Sequence, residues 1–335
     1  MFGLLHFLVG KIFDAPFLQK ALTILHVDQE EIGEGRAKTS GYIAVIASAV
    51  LFGLMPVMTK AVYAAGGNAI TAVFLRYSIA AAVLLLAGIL RGQRFKLQKN
   101  QLKDALLVSF LGYGATALLL YSSYPFIPSG MATIVHFVYP ALVILASILF
   151  FRERPGKVQV LSLCLSLIGV ALCFNGEGSG SLAGVLLAFL SGVSYTFYIL
   201  AIARSSLRHL SPLKLLFYLN LFGAILSFLL QKLLGGVRWQ LSGIGWLAAT
   251  GLGLIISVAS VFLFQMGIKR VGPANAALLS TFEPLTSLLV GVIYFQEALS
   301  TRSIIGSALI LAAVILLALA PVPRPSDQPK SSAPN

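Results

Sequence analysis

Charge is scarce in this chain. Of 335 residues only 10% are Asp, Glu, Lys or Arg, against about 25% in soluble domains. A water-facing surface cannot be built from so few charges. Cysteine is scarcer still: Cys164 and Cys173 share one apolar run, and on a helix about 13.5 Å of rise would separate them, too far for a bridge. Aspartate occurs only at Asp14, Asp28, Asp104 and Asp327, none deep in an apolar run. There is no His-x-x-x-His pair, and Gly10-Lys11 and Gly156-Lys157 lack the rest of a nucleotide-binding loop. These absences exclude a disulfide framework and an ATP-driven pump. No catalytic residue, metal or cofactor is expected.

What the chain has is hydrophobicity: 58% apolar residues and a mean hydropathy of +0.92. The class is all-α integral membrane protein. A formal net charge of +13 would suggest nucleic acid in a soluble protein. Here the cations sit between apolar runs, so no nucleic-acid partner is expected and the lipid bilayer is the partner.

A bilayer core of about 30 Å needs roughly 20 apolar residues in a helix. Ten runs qualify, near 41–64, 69–90, 104–126, 129–151, 157–174, 181–203, 212–234, 243–268, 273–295 and 302–321. Their lengths, and the lack of period-2 alternation, favour helices over a β-barrel. With the N-terminus in the cytoplasm, 19 of the 24 Lys and Arg residues fall in inner segments and three in outer loops. Lys60 and Arg76 lie within spans. This bias predicts a multi-pass protein of the cytoplasmic membrane with both termini inside. Residues 1–38 read as a cytoplasmic or interfacial extension, and 322–335 as a disordered cytoplasmic tail.

The runs repeat. A shift of 144 brings Pro140 onto Pro284, Glu153 onto Glu297 and Ala132 onto Ala276; a shift of 143 brings Gly41 onto Gly184, Ser48 onto Ser191 and Phe52 onto Tyr195. The repeats are 41–174 (helices 1–5) and 181–321 (helices 6–10). Five is odd, so the second copy enters from the opposite side: two inverted five-helix repeats, the plan that lets two halves rock around a central site.

The two copies resemble the paired EamA domains of the drug/metabolite transporter superfamily. The resemblance is carried by Ile127-Pro128-Ser129-Gly130-Met131-Ala132 leading to Pro140 and Arg152-Glu153, and by Gly272-Pro273-Ala274-Asn275-Ala276 leading to Glu283-Pro284 and Glu297. It covers about residues 41–320. It implies ten helices in a basket around a central cavity, with helices 5 and 10 peripheral, and transport of a small metabolite, often amino-acid export. Where many members carry a tryptophan in the first helix of each half, this chain has Phe52 and Tyr195.

Ionisable groups inside a membrane are costly and become the site candidates. Glu283 is the deepest, about 16 Å along its helix from Gly272. It can serve as an ammonium or proton site, or as a structural carboxylate. Pro284 is expected to free a carbonyl near Ser280. The repeat sets His136 against Ser280 and Tyr139 against Glu283, so Pro140 and Pro284 mark helix breaks presenting unlike polar groups. Arg76 is a carboxylate clamp or a snorkelling side chain. Tyr121, Tyr195, Tyr198 and Gln265, and more weakly Tyr113, are further lining candidates. Gly112, Gly114, Gly251 and Gly253 suit close helix packing, and Glu153 and Glu297 suit loop and cap stabilisation. The leading function is a secondary carrier of a small organic solute, with protons as a possible coupling ion and a monomer sufficient. An integral-membrane enzyme acting on lipid, and a channel or non-transporting partner, are the alternatives.

Overall fold

The structure, a computed structural model, describes residues 29–151, 155–173 and 181–319. The expected interfacial extension (through residue 28), the tail and Glu153 lie outside these. Ten apolar helices follow one another: α1 (Thr39–Ala64), α2 (Ala69–Leu90), α3 (Lys99–Ser123), α4 (Ser129–Phe150), α5 (Lys157–Cys173), α6 (Leu182–Arg204), α7 (Pro212–Leu230), α8 (Gly243–Val271), α9 (Asn275–Ile293) and α10 (Thr301–Leu319). Nine are long and apolar enough to cross a bilayer; α5, at 17 residues, is shorter. The fold is all-helical among the described residues.

Two boundaries differ from the sequence reading. The helix leading into α1 begins at Gln29, through a polar stretch expected to lie outside any span. α1 is also interrupted at Leu54 and resumes with Pro56 in its first turn, where the missing proline N–H has no intrahelical partner to lose. The repeat gave no warning of this, because α6 runs unbroken from Leu182 to Arg204.

Packing follows the repeat closely. α2 lies along α7, α4 along α9 and α5 along α10; α1 lies along α8, and its counterpart α6 lies along α3. Every one of these pairs runs antiparallel. In α2–α7, Asn68 Nδ2 donates to the Gly236 carbonyl, Phe74 meets Phe228, and Tyr77 packs on Gly223. In α5–α10, Gly169 faces Gly306 and Cys173 faces Ser303. Antiparallel contact between equivalent helices requires a pseudo-twofold axis perpendicular to them, in the plane of the membrane. The equivalences recur in detail. A Cβ on Gly41 would lie 2.6 Å from Val271, and one on Gly184 2.6 Å from Ile127. Ser48 Oγ donates to the Ser260 carbonyl at 2.7 Å, and Thr116 Oγ1 to that of Ser191 at 3.5 Å. Residues 41 and 184, 271 and 127, 48 and 191, 260 and 116 are all repeat partners.

The axis passes through the α2–α7 crossing near Tyr77 and Gly223 and between the breaks of α4 and α9; the α4–α9 crossing lies to one side of it, where Ser287 Oγ donates to Thr133 Oγ1 at 2.9 Å. α1–α8 and α3–α6 stand between these two crossings and contact both. The interior is therefore bounded by a wall of α2 and α7 and a facing wall of α4 and α9. α5 and α10 pack mainly on each other.

Candidate functional site

The α4–α9 wall is broken at its centre. α4 loses α-geometry at Phe137 and Val138 and restarts at Tyr139, with Pro140 in the first turn. α9 does the same at Ser280 and Thr281 and restarts at Phe282, with Pro284 in the first turn. The breaks expose different chemistry. On α4, His136 is 7% exposed. The Ser191 hydroxyl donates to the Ala188 carbonyl at 2.6 Å, so its oxygen accepts from His136 Nδ1–H at 2.9 Å. The His136 ring stands 5.6 Å from Tyr139 and 5.4 Å from Tyr195. On α9, Glu283 is half-buried. Among the described residues its carboxylate has no hydrogen-bond or ion-pair partner, and Arg76, Tyr124, Tyr139 and Tyr195 lie within electrostatic range.

The carbonyl expected to be freed near Ser280 is not free. The Glu283 N–H donates to the Ser280 carbonyl at 3.0 Å, a tight turn that absorbs the gap left by Pro284. The Ser280 hydroxyl turns back to the Ala277 carbonyl at 2.7 Å. Gln265 is half-buried, with no hydrogen bond among the described residues.

Arg76 stands on the opposite wall, next to the α2–α7 crossing. It is 7% exposed and does not reach the interface by snorkelling. Its Nε donates to Ser257 Oγ and its Nη1 to the Tyr121 hydroxyl, both at 2.7 Å. Met55 Sδ lies 3.4 Å from Nη1, and the guanidinium sits 5.4 Å above the Tyr77 ring. No carboxylate lies within ion-pair distance among the described residues, where the single ion pair is Lys60–Glu297. Tyr121 is fully buried beneath it.

Aromatic rings join the walls. Tyr77 and Tyr113 are 5.1 Å apart, Tyr113 and Tyr198 5.6 Å, Tyr198 and Tyr195 5.2 Å, and Tyr195 and Tyr139 4.7 Å. Of the residues singled out from sequence, Arg76 and Tyr121 form one cluster, and His136, Tyr139, Tyr195 and Tyr198 another. Ser257, Ser191 and Asn220 were missed. The repeat held a signal for each: a shift of 144 takes Tyr113 to Ser257 and Arg76 to Asn220, and a shift of 143 takes Ser48 to Ser191.

Away from the centre, Glu297 ties the halves together at one end of the bundle. It pairs with Lys60 of α1 and accepts from the Ser129 N–H at 3.0 Å and the Ser129 hydroxyl at 2.8 Å, at the start of α4. Lys60 Nζ also lies 4.3 Å from the Phe295 ring centre.

An inverted-repeat helical bundle with polar groups gathered at mid-span defines a multi-pass membrane transporter. The chain belongs to the EamA-like transporter family, whose model matches residues 39–175 and again 182–319. It is 30% identical over 285 residues to an uncharacterized transporter of Archaeoglobus fulgidus, covering 84% of this chain and 97% of that one. It is 26% identical over 292 residues to the uncharacterized inner membrane transporter YicL of Salmonella typhimurium, covering 83% and 95%. A protein of known crystal structure shares the fold, with a TM-score of 0.57 at 22% identity, over 84% of this chain and 96% of the other.

Proposed function

We propose that the chain is a secondary carrier for a small zwitterionic solute of the amino-acid type, working by alternating access. The observation that carries this reading is an acidic and a basic side chain on facing walls, neither paired with the other. Arg76 is buried with no carboxylate partner, and Glu283 is half-buried with no partner at all, among the described residues. A cation or anion in a membrane interior calls for a counter-charge. A solute bearing a carboxylate and an ammonium supplies one to each. The guanidinium holds the carboxylate and Glu283 holds the ammonium, while the tyrosine rings enclose the remainder. Glu283 can also take a proton when the solute leaves, which would couple transport to a pH gradient.

The inverted packing supports the mechanism. Equivalent antiparallel helices can exchange roles, opening the Lys60–Glu297 end or its opposite. By the Lys and Arg bias, that end faces outward, both termini are cytoplasmic, and the chain lies in the cytoplasmic membrane. The repeats 41–174 and 181–321 are the moving units, and one chain closes the site, so a monomer suffices. Amino-acid efflux is the direction that the family resemblance favours.

The test is reconstitution in liposomes with a radiolabelled neutral amino acid, its N-acetyl derivative and its amide. The zwitterion should move and the two singly charged derivatives should lag by about tenfold or more. Equal movement of all three, or of none, would overturn the reading.

A further inference from the structure

α3 and α8 each carry one stretch of π-helix, Val108–Tyr113 and Leu252–Ser260. The repeat superposes the starts of these stretches. π-turns are rare and gather at functional sites, because they re-aim side chains at a cost in regularity. Here they carry Tyr113 and Ser257, which are repeat partners: Ser257 bonds Arg76 and Tyr113 lies beside Asn220, and Arg76 and Asn220 are also repeat partners. Four polar groups thus meet beside the axis as two equivalent pairs.

The pairs are satisfied differently. Arg76 Nε donates to Ser257 at 2.7 Å. In the other pair, Asn220 is fully buried and donates through Nδ2 to the Leu216 carbonyl at 2.8 Å. Its Oδ1 makes no hydrogen bond within 3.5 Å, and neither does the Tyr113 hydroxyl, although both atoms are buried and the two groups lie side by side with Ser257. Unmet hydrogen-bonding groups inside a membrane protein are costly. Of the other buried hydroxyls without partners, Ser162, Ser166 and Ser307 stand on α5 and α10, away from the two walls, Tyr124 and Ser211 stand at helix ends, and Ser109 lies at the start of the π-stretch of α3. Asn220 and Tyr113 belong to the α2–α7 wall and its flank.

We propose that Asn220 Oδ1 and the Tyr113 hydroxyl, set beside Ser257 by the two π-turns, form a subsite for a neutral hydrogen-bond donor on the transported solute, a hydroxyl or primary amide. The proposal rests on the carrier reading above and adds what that reading leaves open, the side chain of the solute. Oδ1 only accepts, so it selects a donor. The nearby Arg76 guanidinium repels a cation, so an ammonium side chain is rejected. An alkyl group leaves Oδ1 and the hydroxyl unmet, which penalises it.

The test uses solutes that differ only in the donor. Detergent-solubilised full-length protein is titrated with threonine and valine, with 3-hydroxybutyrate and 3-methylbutyrate, and with 1-amino-2-propanol and isobutylamine, and affinity is read from thermal shift. Within whichever pair binds, the hydroxyl member is expected to bind about tenfold more tightly or better. Asn220→Leu and Tyr113→Phe should bring that ratio towards one, while Ser166→Ala keeps it. Tyr113→Phe should also leave the unliganded thermal midpoint unlowered, since no hydrogen bond is lost; a structural bond there would lower it. Equal binding within the pair that binds, or a ratio untouched by both variants, overturns the subsite. Binding confined to the carboxylate or amine pair, with the hydroxyl preference intact, overturns the zwitterion and keeps the subsite. No binding by any pair overturns both.

Discussion

α4 and α9 are one object made twice. Each breaks near its midpoint, resumes with a proline in the first turn, and crosses the other antiparallel at Thr133 and Ser287. Their chemistry differs. α4 brings His136 and Tyr139, bonded or stacked. α9 brings Ser280 and Glu283, the latter a carboxylate without a partner among the described residues. The comparison separates two tasks. Shared geometry gives halves that can exchange conformations, and the departures from symmetry decide what is carried.

Removing the charge that distinguishes α9 should have the largest effect. Glu283→Gln keeps shape and is expected to cut liposome transport about a hundredfold, the order of effect seen when one member of a buried charge complement is lost. Folded yield should be unchanged. If pH-gradient-driven transport disappears while solute exchange partly survives, Glu283 is the proton carrier; weaker binding at every pH makes it the ammonium site. Normal transport under all conditions would mean that the Glu283 carboxyl plays no part in what is carried.

The crossing itself can be pried apart. A Cβ on Gly130 would lie 2.6 Å from Leu288 Cα, and backbone cannot step aside as a flexible side chain can. Gly130→Ala should destabilise by about 1–3 kcal/mol, seen as a lower midpoint in thermal unfolding. An unchanged midpoint would mean that the α4–α9 contact is looser than described.

On the facing wall, Arg76→Lys keeps the charge and loses the planar fork that reaches Ser257 and Tyr121 together. Transport should drop about tenfold, with the loss in apparent affinity. Full activity would reduce Arg76 to a point charge and weaken the case for a clamp.

The smallest effect belongs to the tie between the halves. Burial alone would raise the Glu297 pKa, but hydrogen bonds from Lys60 and from the Ser129 N–H and hydroxyl outweigh it and hold the carboxyl below its ordinary value of 4.5. A carboxyl held low in the folded state stabilises the fold above its unfolded pKa, and that contribution is lost as pH falls through the folded value. The midpoint should therefore be insensitive to this group from neutrality to about pH 5 and fall below pH 4.5. In Glu297→Gln the part of the acid-side fall due to this group should vanish. An identical acid profile in the variant would assign the fall to other groups.

Much of this architecture was legible because hydropathy and repeat spacing act over long stretches. Span positions and the equivalence of Pro140 with Pro284 needed only counting. The interruption of α1 at Leu54 was hidden because one proline, Pro56, lies inside a continuous apolar run with no counterpart in α6. The Ser280 carbonyl was misread because proline chemistry says which donor is missing, and a tight turn can supply another. The Ser257 contact with Arg76 spans 181 residues, and no local pattern marks a buried serine. Only the repeat, applied to Tyr113, pointed there.

The antiparallel pairing also sets a timetable for synthesis. Each helix has its main neighbour in the other half, or in the case of α5 and α10 at the far end of it. α1 begins at residue 39 and its neighbour α8 at 243, so at roughly 5–20 residues per second the first half waits tens of seconds in the bilayer before its contacts can form. During that wait Arg76 has Tyr121 from its own half but not Ser257. The family repeat is a unit of ancestry and of motion, yet it is not a unit of assembly. Either half made alone would keep its broken helices and lose the partners that bury them.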